Sequence, residues 1–412
     1  MNYGLIGKKL GHSFSKEIHE KIGDYEYEIC EIPEDKLCGF IRGREYKGLN
    51  VTIPYKQSVI PLLDEVSDAA QKLGAVNTIV NRGGHLFGDN TDYAGMKALI
   101  NRLKIDAAGK KVLILGSGGT SKTAFGLVTD MGAGEIYQVS RSPKNERQIS
   151  YDVAYTCHSD ADIIINTTPS GMFPNNEGMP IDLDKFDSLC GVVDAVYNPL
   201  RTNLVLAAQK KGIPAEGGLY MLVAQAVYAN GLFMQKEVKT QLIDKIYGEL
   251  LNKKRNIVLT GMPGAGKTTV GKIIAQRPGR KFVDTDEQIK TETGMTPAQI
   301  INEQGEEAFR QVEAGIIAEL SQENRLVIAT GGGAVLREEN VRRLSQNGII
   351  IFIDRDIDSL VPTPDRPLSM DREQLKRRFD ERYPIYVSTA DVVAKAQQGA
   401  HKTAEHILER MI

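Results

Sequence analysis

The chain has 412 residues, 41% of them hydrophobic and 25% charged, with a formal net charge of -2 at pH 7. That length exceeds one compact core and calls for roughly two to four domains; near-neutrality removes any global electrostatic case for nucleic acid or an anionic membrane and leaves small molecules as the expected partners. No apolar run is long enough to cross a bilayer, and Cys30, Cys38, Cys157 and Cys190 show neither paired nor Cys/His spacing, so a cytoplasmic protein without disulfides or zinc is expected.

The first run, Tyr3-Gly4-Leu5-Ile6-Gly7, reads as a strand and not as a signal sequence. Strand-like runs at Tyr25 to Ile32, Gly48 to Thr52, Ala75 to Asn81 and His85 to Phe87 alternate with helical patterns, which predicts an α/β domain. Polar residues gather at the ends of these runs, in Gly11-His12-Ser13-Phe14-Ser15, Asn50-Val51-Thr52-Ile53-Pro54-Tyr55-Lys56, Gly74-Ala75-Val76-Asn77-Thr78 and Asp89-Asn90-Thr91-Asp92. Strand ends are where α/β folds place ligands. Pro54 cannot sit inside a central strand, so Thr52 and Lys56 are expected to flank a turn at a cleft edge.

Together these segments resemble shikimate dehydrogenase, whose first domain carries H-S-x-S, N-V-T-x-P-x-K, A-V-N-T and N-T-D in this order. The resemblance implies that Ser13 and Ser15 donate to a substrate carboxylate, that Thr52, Asn77 and Asp92 hold ring hydroxyls, and that Lys56 and Asp92 form the catalytic pair. Reduction of a ketone by hydride leaves an alkoxide that needs a proton from a nearby acid, a task that suits Lys56. His12 and His19 are read as structural.

After a helical pattern from Tyr93 to Leu103, the run Lys111 to Leu115 leads into Gly116-Ser117-Gly118-Gly119-Thr120-Ser121, a variant dinucleotide turn. Ser121 falls where the third glycine of G-x-G-x-x-G would stand, and a small side chain there still permits close helix-to-strand packing. The next strand, Glu135 to Val139, ends in Ser140-Arg141-Ser142 with Lys144 beyond, where an NAD-binding fold would carry an acid for the ribose hydroxyls. An arginine there favours a 2′-phosphate, hence NADP. The segments Asp162 to Thr168, containing Thr167, and Val192 to Tyr197 resemble further parts of the same family, the first running beside the nicotinamide. Gly217 to Gln225 resembles its G-x-x-M-L-x-x-Q, which implies that Gln225 returns to the substrate with Tyr197 and that Met221 lies with the cofactor residues. This resemblance covers residues 1 to about 250.

A helical pattern from Val238 to Leu251 ends in Asn252-Lys253-Lys254-Arg255, read as a short polar hinge, and Ile257-Val258-Leu259 then enters Gly261-Met262-Pro263-Gly264-Ala265-Gly266-Lys267-Thr268-Thr269. This fits the phosphate loop G-x-x-x-x-G-K-[ST], in which Gly264, Ala265 and Gly266 bring backbone N–H groups to phosphate oxygens, Lys267 adds a charge, and the Thr268 and Thr269 pair opens the helix, with the Thr268 hydroxyl offered to Mg²⁺. Apolar runs at Phe282-Val283, Leu326 to Ala329, Ile349 to Ile353 and Val392-Val393 complete a predicted five-stranded parallel sheet. Asp284 and Asp286 close the second run; paired acids there can serve two tasks, Asp284 at the Mg²⁺ hydration shell and Asp286 at a substrate hydroxyl, or else cap a helix.

With Phe309-Arg310, Gly331-Gly332-Gly333, Arg366-Pro367-Leu368 and Arg382-Tyr383-Pro384-Ile385-Tyr386, this half resembles shikimate kinase. The resemblance implies that Arg310 and Arg382 clamp the shikimate carboxylate, that the glycines allow close approach to the substrate ring, and that Arg366 closes a lid over the transferring phosphoryl group. The lid segment Asp358 to Asp365 is short and lacks the arginine that the family commonly places before R-P-L. His401 and His406 fall in a closing amphipathic helix with no site.

The expectation is therefore an α/β chain with residues 1–252 dehydrogenase-like, comprising a substrate part at 1–97 and 220–250 and a Rossmann-like NADP part at 98–219, followed by a P-loop kinase domain at 253–412. It would reduce 3-dehydroshikimate with NADPH and phosphorylate shikimate with ATP and Mg²⁺. A quinate dehydrogenase joined to a small-polyol kinase, and a non-catalytic metabolite sensor, are the rival readings. Arg141 argues against NAD, Arg310 and Arg382 argue for a carboxylated acceptor, and the intact Lys56, Asp92, Lys267, Asp284 and Asp286 argue against a sensor.

Overall fold

β-Branched and aliphatic runs bounded by glycine turns set the strands of three sheets in a computed structural model that describes residues 1–10, 14–276, 279–360 and 372–411. The chain divides into two compact units, Met1–Leu250 and Leu251–Ile412. In the first, strands β1 (Tyr3–Gly7), β2 (Glu28–Glu31), β3 (Gly48–Val51), β4 (Glu65–Val66), β5 (Thr78–Arg82) and β6 (His85–Asp89) form a mixed sheet in the order β2-β1-β3-β5-β6-β4. β1 pairs in parallel with β2 and β3, whereas β5 runs antiparallel to β3 and turns into β6 through Gly83 and Gly84, both at positive φ. Two successive positive φ values suit glycine and close a hairpin that matches the strand twist.

The second sheet of this unit holds β7 (Lys111–Leu115), β8 (Glu135–Val139), β9 (Gln148–Ile149), β10 (Ile163–Asn166), β11 (Gly191–Asp194) and β12 (Ala215–Glu216). All pairs are parallel, in the order β12-β11-β10-β7-β8-β9. β10 and β11 are buried along their whole length, as expected of a sheet covered on both faces. The strand order reverses at β7, so the glycine turn that follows it opens at the switch point where such sheets bind ligands.

The helix Leu219–Met234 is apolar nearly all round because it packs on both sides. Val223 and Val227 join the core around Ile114, while Ala229 and Phe233 join Leu5 and Tyr27. It crosses the helix Thr91–Arg102 so closely that a Cβ on Gly95 would lie 2.7 Å from the Met221 carbonyl oxygen. That crossing sets Asp92 and Gln225 against one cavity.

In the second unit β13 (Asn256–Thr260), β14 (Lys281–Asp284), β15 (Leu326–Ala329), β16 (Gly348–Asp354) and β17 (Val392–Lys395) form the expected five-stranded parallel sheet, ordered β14-β15-β13-β16-β17. The polar run read as a hinge is helical through Lys254, the last turn of the helix Thr240–Lys254. It contains no glycine or proline to stop a helix, and basic residues favour a helix C-terminus. Among the described residues no helix is long and apolar enough to cross a membrane, and all four cysteines are free thiols.

Gly95→Ala is expected to destabilise the first unit by about 1–3 kcal/mol through overpacking at the helix crossing, read as a lower Tm. Gly39→Ala, in the helix Glu34–Gly43 with nothing within 4 Å of the added Cβ, is expected to leave Tm unchanged or raised. Equal responses of the two variants would refute the close packing at Gly95.

Candidate active sites

Asp92 sits in the first turn of the helix Thr91–Arg102, whose N-cap Asn90 accepts a hydrogen bond from the Tyr93 N–H at 3.3 Å. A helix N-terminus favours a carboxylate. Lys56 Nζ donates to Asp92 Oδ2 at 2.5 Å, and Asn77 Nδ2 donates to Asp92 Oδ1 at 2.9 Å. The Lys56 backbone is itself tied to the A-V-N-T segment, since its carbonyl accepts from the Val76 N–H at 2.8 Å. Both charged side chains are largely withdrawn from solvent, 22% and 14% exposed.

A cavity of about 380 Å³ collects Ser15, Thr52, Lys56, Asn77, Asp92, Tyr197, Met221 and Gln225 from separate segments. Ser13, assigned with them from sequence, lies outside the described residues. Gln225 lines the cavity, with its amide nitrogen donating to Leu222 O in its own helix at 2.9 Å. Burial raises the Tyr197 phenol above its usual value, and its ring lies 5.5 Å from Phe14. Asn50 and Lys9 line the same cavity and were missed from sequence. Asn50 could have been found, since it lies in β3 two residues before Thr52.

Thr120 also lines this cavity, so the glycine turn after β7 faces the Lys56–Asp92 pair. Gly116 adopts φ +106°, and a Cβ there would stand 3.0 Å from Thr167 Oγ1. Ser117, Gly118 and Gly119 are exposed at the start of the helix Gly119–Asp130, open to a ligand's phosphates. Ser121 is fully buried; its hydroxyl donates to Gly116 O at 2.7 Å and accepts from Gln138 Nε2 at 2.8 Å, so the small side chain fastens the turn to β8. Thr167 donates to Leu115 O at 2.6 Å. Ser140 Oγ accepts from the Ser142 N–H at 3.2 Å and shapes the loop on which Arg141 and Lys144 are exposed. A glycine turn at the switch point, with an arginine and no acid after the second strand, fits NADP.

In the second unit Gly261, Gly264 and Gly266 take φ of +141°, +83° and +96°, a sequence of turns that wraps backbone around an anion. Lys267 Nζ donates to Gly261 O at 2.8 Å and Met262 O at 3.0 Å, so the loop holds the ammonium at its own mouth. Thr268 Oγ1 donates to Asp284 Oδ2 at 2.7 Å. A hydroxyl beside a carboxylate fits Mg²⁺, which keeps most of its waters and takes few protein oxygens. Asp284 also caps the helix Thr285–Thr293 by accepting from the Asp286 N–H.

Asp286, Arg310, Gly331, Gly332, Gly333 and Arg382 share a cavity of about 760 Å³ with Lys267, Thr268 and Thr269. Arg310 donates to Glu313 at 2.7 Å and to Glu306 at 3.0 Å. Glu313 is fully buried, and burial raises its pKa against the opposing pull of Arg310. The three glycines answer to three neighbours: a Cβ would fall 2.8 Å from Glu313 Oε1 at Gly331, 2.9 Å from Pro263 Cδ at Gly332 and 2.3 Å from Arg310 Nη2 at Gly333. Arg382 donates to Gly332 O at 3.3 Å, and the Tyr386 hydroxyl donates to the same oxygen. Glu313 and Arg378 line this cavity and were missed; each stands one helical turn from an arginine that was found, which is the signal that marks them. Arg366 and most of the lid fall within 361–371, outside the described residues.

Comparison with known proteins matches the first and the last part of the chain to different families. The family model described as "Shikimate dehydrogenase substrate binding domain" matches residues 5–79, and that described as "Shikimate kinase" matches residues 263–412. The shikimate dehydrogenase (NADP(+)) of Clostridium beijerinckii is 34% identical over 265 residues, which cover 61% of this chain and 98% of that protein. A chorismate mutase/shikimate 5-dehydrogenase fusion protein from Clostridium acetobutylicum superposes with a TM-score of 0.57 at 36% identity, covering 60% of this chain and 96% of that one. A shikimate 5-dehydrogenase from Thermus thermophilus in complex with NADP(H) and shikimate gives a TM-score of 0.55 at 27% identity, covering 60% and 99%.

Two buried groups give the first unit opposed pH responses. His19 is fully buried, stacks on Tyr27 at 4.0 Å, and lies with Nδ1 2.7 Å from the Tyr25 hydroxyl; burial pushes its pKa down to about 3. Its contribution to stability is present above pH 6.5 and is lost as pH falls toward 3. Asp194 accepts from Asn166, Val196 N–H and Thr202, yet burial pushes it up to about 6, so its contribution is present below about pH 4 and is lost as pH rises through 6. Each changes stability by at most about 1.4 kcal/mol per pH unit inside its window. Denaturant unfolding between pH 7 and 5 should show a weaker acid loss in His19→Gln and a steeper one in Asp194→Asn; curves parallel to the parent would refute both assignments.

Proposed function

The chain belongs to the shikimate dehydrogenase family through its first unit and carries a shikimate kinase domain in its second, and on that premise we propose that it makes shikimate from 3-dehydroshikimate with NADPH and then phosphorylates it at the 3-hydroxyl with ATP and Mg²⁺. The observation that carries the reading is the Lys56–Asp92 contact in a cavity that also receives Thr120 of the glycine turn. Proton donor and cofactor turn then face the same ketone. We assign the reductase to residues 1–252, with its substrate part at 1–97 and 220–250 and its NADP part at 98–219, and the kinase to 253–412.

In the reductase NADPH supplies the hydride. Lys56 gives its proton to the oxygen that the hydride leaves negative, and Asp92 aims Lys56 at it. Thr52, Asn77 and Asp92 hold the ring hydroxyls, Gln225 returns to the substrate with Tyr197, and Ser15 with Ser13 takes the carboxylate. Gly116 to Thr120, Thr167 and Met221 take the dinucleotide, with Ser140, Arg141 and Lys144 at the 2′-phosphate.

In the kinase ATP supplies the phosphoryl group, with Mg²⁺ beside Thr268 and Asp284. Asp286 orients and deprotonates the acceptor hydroxyl, while Lys267 and Arg366 offset charge on the transferring oxygens. Arg310 and Arg382 take the acceptor carboxylate in a cavity where Glu313 and Glu306 already fix the Arg310 fork.

One assay tests both halves: 3-dehydroshikimate, NADPH and Mg-ATP are supplied together while nicotinamide absorbance and the phosphorylated product are followed. Lys56→Ala should lower NADPH oxidation by about 10²-fold or more and leave phosphorylation of added shikimate intact. Lys267→Ala or Asp286→Asn should do the reverse. Unaltered NADPH oxidation in the first variant, or unaltered ATP turnover in the second pair, would overturn the corresponding assignment.

A further inference from the structure

Behind Asn77 runs a chain of buried hydrogen bonds that ends on Asp92. The Tyr27 hydroxyl donates to Asn50 Oδ1 at 2.7 Å, and Asn50 Nδ2 donates to Thr78 Oγ1 at 3.1 Å. Thr78 Oγ1 lies 3.0 Å from Asn77 Oδ1 and 3.0 Å from Thr91 Oγ1, and the Thr91 hydroxyl lies 3.2 Å from Asn77 Oδ1. The Thr91 N–H donates to the same Asn77 oxygen at 2.7 Å. Tyr27 and Thr78 are fully buried, and Asn50, Asn77 and Thr91 are nearly so.

A primary amide can turn over with little change in shape, so its orientation is decided by the donors and acceptors around it. Asn77 Oδ1 faces a backbone N–H, which can only donate, and two hydroxyls. Thr78 has one proton and already receives one from Asn50. It either gives its own proton to Asn77 Oδ1 or gives it to Thr91 Oγ1, which then passes its own to Asn77. Both arrangements saturate the Asn77 oxygen and leave its NH₂ facing Asp92. Turning the amide over would set NH₂ against N–H and oxygen against carboxylate, leaving buried groups unpaired.

We propose that Thr78 and Tyr27 are positioning residues of the reductase, whose hydroxyls, together with the Thr91 N–H, complete the hydrogen bonding that holds the Asn77 amide with its NH₂ donating to Asp92. Asp92 then accepts on both oxygens, from Asn77 and from Lys56, and is held where it aims the ammonium. The inference rests on the proposed role of the Lys56–Asp92 pair. It also gives a task to the last residue of A-V-N-T and the first of N-V-T-x-P-x-K, neither of which contacts the reacting atoms in that reading.

The other titratable groups lining the cavity of Asp92 and Lys56 are Lys9 and Tyr197, and the helix Leu219–Met234 presents only the uncharged Met221, Leu222 and Gln225 to it. The test is the split between kcat and KM for NADPH-dependent reduction. Thr78→Val, which keeps the shape and removes the hydroxyl, should lower kcat and kcat/KM alike by about tenfold, because Asn77 no longer holds Asp92 in one position. Thr78→Ser should restore both, and the Kd for NADPH should not change. Tyr27→Phe, which breaks the far end of the chain without touching Asn77, should lower kcat the same way by less, and carries the test if Thr78→Val does not fold. A parent-like kcat in folded Thr78→Val, or in Tyr27→Phe where Thr78→Val is unfolded, would overturn the inference, as would a rate loss matched by weaker NADPH binding. If Lys56→Ala reduces substrate normally, the underlying reading of the pair fails instead.

Discussion

Parallel strands run the same way, so every strand-to-helix turn of a parallel sheet emerges on one edge, and the glycine-rich turn of each unit opens there. β7 and β13 are the central strands that open into the two glycine-rich turns. Around β7 the edge receives Thr167 after β10 and Ala195 with Tyr197 after β11. Around β13 it receives Asp284 after β14, Thr330 with the three glycines after β15, and Arg355 after β16, whose Nε donates to Ala265 O at 3.1 Å. Chemistry assembled from distant parts of the chain is thus a consequence of pairing direction.

Withdrawing charge from water must be offset, and the two units do this differently. Asp92 is held between a cation and an amide at a helix N-terminus. Arg310 is held by two carboxylates, one of them fully buried, so its fork is rigid before any acceptor enters. Asp194 has only neutral donors, which is why burial prevails and raises its pKa. That carboxyl nonetheless ties the loop after β10, through Asn166, to the loop after β11, through Val196 and Thr202.

The two glycine sets are needed for different reasons. In the phosphate loop the constraint is torsional, since three glycines take positive φ within six residues, Gly261 to Gly266. At Gly331 to Gly333 it is steric, because Glu313, Pro263 and Arg310 close in on positions where any Cβ would stand. The second set, expected to admit a substrate ring, lines the kinase cavity, and its lack of Cβ atoms also leaves room for the Arg310 guanidinium.

Elements whose cause is local could be read directly. The apolar runs gave the five parallel strands of the second unit, and glycine-rich turns after Leu115 and Thr260 marked both nucleotide sites before any fold was known. The run from Asn252 to Arg255 was read as a hinge because charge was taken for a break, whereas the helix continues through Lys254 and gives way to β13 at Asn256. Asn50, Thr78 and Glu313 were passed over because what they do depends on partners that folding brings up: Tyr27 for Asn50, Asn77 and Thr91 for Thr78, and the interior wall against Gly331 for Glu313. Sequence alone determined where the two glycine-rich turns lie and in what order the two halves come, because turn torsions and strand periodicity are properties of neighbouring residues. Only the tertiary structure decided how those residues are aimed, because the direction of the Asn77 amide and the grip on Arg310 are set by hydrogen-bond partners that come together only in the folded chain.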